Sequence, residues 1–154
     1  MQIEYLGNQG LLSLHKTAFL CSRVVSSRAI LPCYDWATQM IDKKEIVISG
    51  FQSKIEKDVL HFLLKGKNPI IVVIARKMYK EFPEEFIEPI SAGRMLIVSI
   101  APNSVRVSKM TARYRNAYIS QIADKIVFGY IAKDSHLNEL YEEYKAKSVI
   151  ICNS

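Results

Sequence analysis

Three short stretches of this 154-residue chain carry side chains suited to holding an anion. The first is Ser22-Arg23, followed by Ser26 and Ser27, where hydroxyls, a guanidinium and free backbone N–H groups could cradle a phosphate. The same residues also describe a solvated turn whose serines cap the next helix. The second is Ser49-Gly50, where a bare Cα lets a ligand approach the backbone or serves a tight turn. The third is Arg115-Asn116, with Arg113 close before it. Arg76 and Lys77 add cations of the same kind, but Lys16, Lys43, Lys44, Lys67, Arg94 and Lys125 fall at the opposite ends of the expected strands. Charge placement alone therefore chooses no face of the fold.

Catalytic and cofactor signatures are poor. There is no G-x-S-x-G elbow and no H-E-x-x-H pair, and His15, His61 and His136 have no nucleophile or metal partner in the sequence, so each reads as a surface or interface histidine. Glu84-Glu85 and Glu142-Glu143 are adjacent on helical segments, point in different directions and read as solvated faces. G-x-G-x-x-G is absent after every expected strand, as is G-K-S/T, which excludes the usual dinucleotide and phosphate-loop cradles. Cys21, Cys33 and Cys152 have neither C-x-x-C nor metal-ligand spacing and read as reduced thiols of a cytoplasmic protein. The expectation is a chain without metal or cofactor that binds rather than catalyses.

The elements that must position these residues alternate in type. Short apolar runs predict strands over Ala18–Cys21, Glu45–Ser49, Ile70–Ala75, Met95–Ser99, Ile126–Ile131 and Ser148–Cys152. Between them lie helical patterns: one with Pro32 at its first position, closed by Lys43 and Lys44, and one opened by the capping pair Ser53 and Glu56 and stopped at Gly66. A short, imperfect helix spans Glu84–Ala92 and the longest spans Ser108–Asp124. In that last segment Met110, Tyr114, Ala117, Tyr118, Ile119 and Ile122 are assigned to the packed face, and Arg113 and Arg115 to the remainder. Ser135 caps a helix through Tyr144, and Met1–Lys16 is a lead-in loop or short helix. Strands alternating with helices predict one three-layer, doubly wound α/β domain over residues 1–154, with a mostly parallel sheet of about six strands and Ile70–Ala75 central. In such a sheet ligands sit outside the carboxyl ends of the strands, where Ser22-Arg23 and Ser49-Gly50 would lie.

Twenty-one Lys and Arg against fifteen Asp and Glu give a formal charge of +6, which favours an anionic partner. The longest aliphatic run, Ile70–Ala75, is far too short to cross a bilayer, and Glu4 with no sustained apolar stretch argues against a signal peptide, so no membrane partner is expected.

Several phrases together resemble the DNA-processing (DprA/Smf) family. Leu6-Gly7-Asn8 with Leu11-Leu12, then Ala18-Phe19-Leu20-Cys21-Ser22-Arg23 and Ser26, is similar to its Gly-Asn, Leu-Leu and strand-Gly-Ser-Arg-x-x-Ser opening. Ser49-Gly50-Phe51 with Ile55-Glu56 resembles its Ser-Gly-Leu-Ala-x-Gly-Ile-Asp signature, and Ala75 through Phe82-Pro83 its Gly-x-Gly-Leu-Asp-x-x-Tyr-Pro loop. Arg115-Asn116 stands where Arg-Asn-Arg opens. The likeness covers about residues 6–131, with Cys21 and Lys54 in place of glycines, Leu60 in place of a histidine and Ala117 in place of the last arginine. The resemblance implies a Rossmann-like domain with Ser22, Arg23, Ser49, Gly50, Arg115 and Asn116 as the anion-facing set. It further implies a non-catalytic module for single-stranded DNA or a nucleotide: Arg23 and Arg115 on phosphates, Ser22 and the Gly50 backbone donating hydrogen bonds, Asn116 orienting an arginine or touching a sugar. Self-association into a homo-oligomer is compatible with it. The wider group includes the lysine-decarboxylase-like phosphoribohydrolases, which makes a nucleotide-cleaving enzyme the alternative, although Phe128-Gly129-Tyr130 and Asp134–Glu139 stand in place of its Pro-Gly-Gly-x-Gly-Thr and glutamate. A scaffold that has kept the fold and lost its ligand is the other alternative.

Overall fold

In the computed structural model, which describes residues 2–153, the apolar runs assemble into a sheet of seven strands. These are β1 (Glu4–Gly7), β2 (Lys16–Leu20), β3 (Ile46–Ser49), β4 (Ile70–Ile74), β5 (Met95–Ser99), β6 (Lys125–Tyr130) and β7 (Ser148–Cys152), in the spatial order β1-β5-β4-β3-β2-β6-β7. Every neighbouring pair is parallel except β1 with β5. The helices are α1 (Ile30–Lys43), α2 (Lys54–Leu64), α3 (Ile87–Ser91), α4 (Lys109–Ile122) and α5 (Leu137–Glu143).

Because successive side chains of a strand point to opposite faces, each buried strand feeds two cores. Ala18, Leu20, Ile48, Ile71, Val73, Leu96, Val98, Ile126 and Phe128 pack with Ile119 of α4 and Leu137 and Leu140 of α5. Phe19, Val47, Ile70, Val72, Met95, Ile97 and Val127 pack on the other face with Cys33, Ala37 and Met40 of α1 and Ile55, Val59 and Leu63 of α2. This is the three-layer, doubly wound arrangement the alternation predicts. Trp36 is half-buried and stacks on Phe19 with ring centroids 4.9 Å apart.

The sheet has one strand more than the pattern suggests. The lead-in residues form β1 and a 3-10 helix over Gln9–Ser13. β1 is too short to show a period, and its tertiary pairing creates it: Glu4 to Gly7 lie antiparallel to Ser99 to Leu96. β4, the strongest apolar run, has strands on both sides, but the middle of the seven is β3. β2 starts at Lys16 and ends at Leu20, so Cys21 already belongs to the turn.

The largest departure is the phase of α4. Its buried residues are Arg115, Asn116, Ile119 and Ser120. Met110 and Tyr114, which the periodicity assigned to the packed face, are 76% and 49% exposed. The half of α4 near the sheet's carboxyl edge covers a polar hollow rather than the apolar core, so its inward face is made of an arginine and an amide.

Candidate functional site

A cleft of about 890 Å³ opens at the carboxyl edge of the sheet. It sits where chain order reverses in the sheet, since β3, β4 and β5 lie on one side of β2 and β6 and β7 on the other. This is the switch point at which doubly wound sheets bind their ligands. Its walls come from the turn after β2 (Ser22, Arg23), the start of α2 (Gln52, Ser53, Glu56), the first half of α4 (Lys109, Arg113, Arg115, Asn116) and the loop leading into α5 (Lys133, Ser135, His136).

The floor is built around Arg115, which is only 5% exposed. Its guanidinium lies over the turn after β3, where a Cβ on Gly50 would come within 2.5 Å of Nε and 2.9 Å of Cζ. Glycine at position 50 thus makes room for a side chain of this protein rather than for a ligand or a left-handed turn. Nε donates to Asn116 Oδ1 at 3.2 Å, while Nη1 is buried without a hydrogen-bond partner among the described residues. Burial lowers the Arg115 pKa from its ordinary value, and the nearby Glu56 carboxylate pulls against that shift.

Glu56 is the second fixed point. Its Oε2 accepts the Cys21 N–H at 2.9 Å, and its Oε1 accepts from Gln52 N at 2.9 Å and Ser53 N at 3.2 Å. One buried carboxylate therefore closes the capping box of α2 and ties the turn after β2 to it. With three N–H donors satisfied by its oxygens, Glu56 shares the cleft with Arg115 without forming an ion pair with it.

Of the six residues expected to face an anion, Ser22, Arg23, Arg115 and Asn116 meet in this cleft. Ser49 and Gly50 lie beneath it, fully buried, with Ser49 Oγ accepting the Phe51 N–H at 3.1 Å. The Arg115 side chain lies against that turn. Ser22 is engaged as well: its N–H donates to the Tyr130 carbonyl at 2.9 Å and its Oγ accepts the Ala132 N–H at 2.8 Å, which pins the loop after β6. Arg23 is exposed at the rim, and Ser26 accepts from Arg28 N as a helix cap. Cys21 is among the residues lining the cleft, and its sulfur, like that of Cys33, lies close to Gly129. Lys54 points outward and pairs with Asp58 at 2.8 Å.

Asn116 also faces His136, with 3.0 Å between Nδ2 and the imidazole Nε2. His136 is half-buried, and burial together with Arg113 and Arg115 lowers its pKa from the ordinary value while Glu139 opposes. Sequence reasoning placed His136 at the surface and read Glu56 as a cap alone. No spacing in the sequence signals the first; for the second the only signal was the carboxylate of Ser-x-x-Glu, whose longer reach no spacing rule shows.

Arg23, Lys109, Arg113, Arg115 and Lys133 line the cleft against Glu56 and Asp134, and none of these cations is within ion-pair distance of a carboxylate among the described residues. A cleft so lined presents a field attractive to anions. No group of three or more His, Cys, Asp or Glu suited to a metal ion occurs among the described residues. No helix of the described residues is long and apolar enough to cross a membrane.

The family model for DNA recombination-mediator protein A matches residues 1–135. The fold is similar to that of DNA processing protein A from Helicobacter pylori, a protein with a unique single-stranded DNA binding mode, at a TM-score of 0.75 and 15% identity over 96% of this chain and 70% of that one. It is equally similar to DNA processing protein A from Streptococcus pneumoniae, at a TM-score of 0.75 and 18% identity, with 96% of this chain and 53% of that one covered. No curated protein matches by sequence. At these identities the two structures show a shared fold, and this chain spans only part of either length.

Proposed function

The chain belongs to the DNA recombination-mediator protein A family, and on that premise we propose that it is a non-catalytic module that binds single-stranded DNA through its phosphates in the cleft at the carboxyl edge of the sheet. The observation that carries the proposal is Arg115: a guanidinium almost wholly withdrawn from water, with Nη1 unpartnered and no carboxylate in ion-pair contact. A buried cation in that condition is costly, and the negative charge of a phosphate in the cleft offsets part of that cost without having to reach Nη1. Asn116 orients this arginine through Oδ1, and Arg23, Lys109, Arg113 and Lys133 around the rim supply contacts for successive phosphates of a strand rather than for one isolated group. Exposed Met110 and Tyr114 lie on the same helix, where unpaired bases could stack. The reading is of a binder because the side chains that converge are cations and fixed donors rather than a paired acid and base. The three free cysteines support placement in a reducing, cytoplasmic compartment.

The test is fluorescence anisotropy of a labelled oligothymidylate across a salt series. With about four phosphates neutralised, the log–log slope of affinity against salt should be near −3. Salt-independent binding, or none at micromolar protein, overturns the proposal, and release of free base from a nucleoside monophosphate would favour the nucleotide-cleaving alternative.

A further inference from the structure

We propose that His136 is a positioning residue of this cleft: by accepting at Nε2 it fixes the amide of Asn116, and through that amide it holds Arg115 in place. The inference rests on the reading of the cleft given above and adds to it a residue on a different element, the loop before α5.

The roles in this chain of contacts are dictated by chemistry. A guanidinium has donors only, so the atom of Asn116 facing Arg115 Nε must be the oxygen. That leaves the amide NH₂ facing His136, and two donors cannot meet, so Nε2 must present its lone pair. The ring proton is then on Nδ1 and the imidazole is uncharged. Asn116 is 6% exposed and Arg115 5%, so water offers neither group a substitute partner. The amide has two orientations, and only one satisfies both neighbours.

The surroundings keep the imidazole uncharged. Arg113 and Arg115 on α4 repel a proton, Glu139 in the first turn of α5 attracts one, and Lys133 and Asp134 on the adjoining loop share the cleft with Arg23 and Glu56 opposite. A charged ring would point an N–H at Asn116 Nδ2. The amide would then have to turn over and set its NH₂ against Arg115 Nε, or the ring would have to leave.

Long-range ¹H–¹⁵N spectra of the imidazoles in the free protein test this directly. The expected result is His136 as the Nδ1–H tautomer, reverting to the commoner Nε2–H form in Asn116→Ala. Oligonucleotide titration supplies the second readout. His136→Gln places an amide oxygen where Nε2 stood and should keep affinity within about threefold of the parent, whereas His136→Leu should lose about tenfold. An Nε2–H tautomer in the parent protein, or equal losses in the Gln and Leu variants, overturns the proposal. The spectrum needs no ligand, so a protein that shows the Nδ1–H tautomer yet binds no oligonucleotide sinks the single-strand reading and leaves this positioning role standing.

Discussion

The guanidinium of Arg115 rests on the bare Cα of Gly50, so close that a Cβ there would stand 2.5 Å from Nε and 2.7 Å from Cδ. These contacts are to the inner part of the side chain, which cannot swing clear without moving the whole guanidinium. Gly50→Ala should therefore displace Arg115 from the cleft floor, costing about 1–3 kcal/mol of stability as an overpacked site does. Oligonucleotide affinity should fall with it by about tenfold. A folded Gly50→Ala protein that binds as well as the parent would show that the seating of Arg115 does not matter to the ligand.

Glu56 makes a sharper stability prediction. Replacing it with alanine strands the N–H groups of Cys21, Gln52 and Ser53 at once, two of which are held at 2.9 Å. The penalty of unsatisfied buried donors puts the loss at about 3 kcal/mol, readable as a shift in the urea midpoint. Glu56→Gln keeps one acceptor oxygen and should fall between the two, unless the carboxylate does no more than cap α2, in which case the loss should be about 1 kcal/mol.

The sequence makes most of the sheet legible because β2 to β6 are short, largely apolar on both faces and interleaved with helices opened by local chemistry, as Ser53 with Glu56 opens α2. The cleft edge follows from topology, which is how Ser22 and Arg23 could be placed there from the chain, whereas Arg115 and Asn116 were named through the family resemblance; all four line the cleft. The phase of α4 is not legible, because periodicity assumes that an inward face is apolar, and here the inward face includes Arg115, Asn116 and Ser120. Gly50 illustrates the same limit: its requirement comes from a residue 65 positions away in the sequence, which no local turn rule contains. β1 exists through pairing with β5, a contact that four residues do not announce.

Corrected phase separates two tyrosines that lie one helical turn apart. Tyr114 is 49% exposed beside Arg113, whereas Tyr118 packs against the core of the α4 face and has its pKa pushed up to about 12, chiefly by burial. Tyr114→Ala should leave the urea midpoint unchanged and weaken oligonucleotide binding by about 1–3 kcal/mol, the range for a lost base–aromatic stack. Tyr118→Ala should do the reverse. A Tyr114→Ala protein that binds normally would confine the ligand to phosphate contacts within the cleft.

The remaining prediction concerns acid. Burial, aided by Arg113 and Arg115, holds the His136 pKa below its ordinary 6.5, so the unfolded chain takes up this proton before the folded one does. Wherever the unfolded state binds more protons, stability rises with pH. The contribution of His136 is therefore fully present above about pH 6.5 and is lost as pH falls from there through the folded-state pKa. Urea unfolding at about pH 7.5 and about pH 5.5 should show the loss, and His136→Gln should shrink it. Asp58 and Asp124 also have lowered pKa values, through Lys54 and Tyr34 in one case and Lys16 in the other, but they titrate below 3.8 and lie outside this window. Acid sensitivity that persists in His136→Gln would thus have to come from another group, and the link between this imidazole and the arginine-lined cleft would be broken.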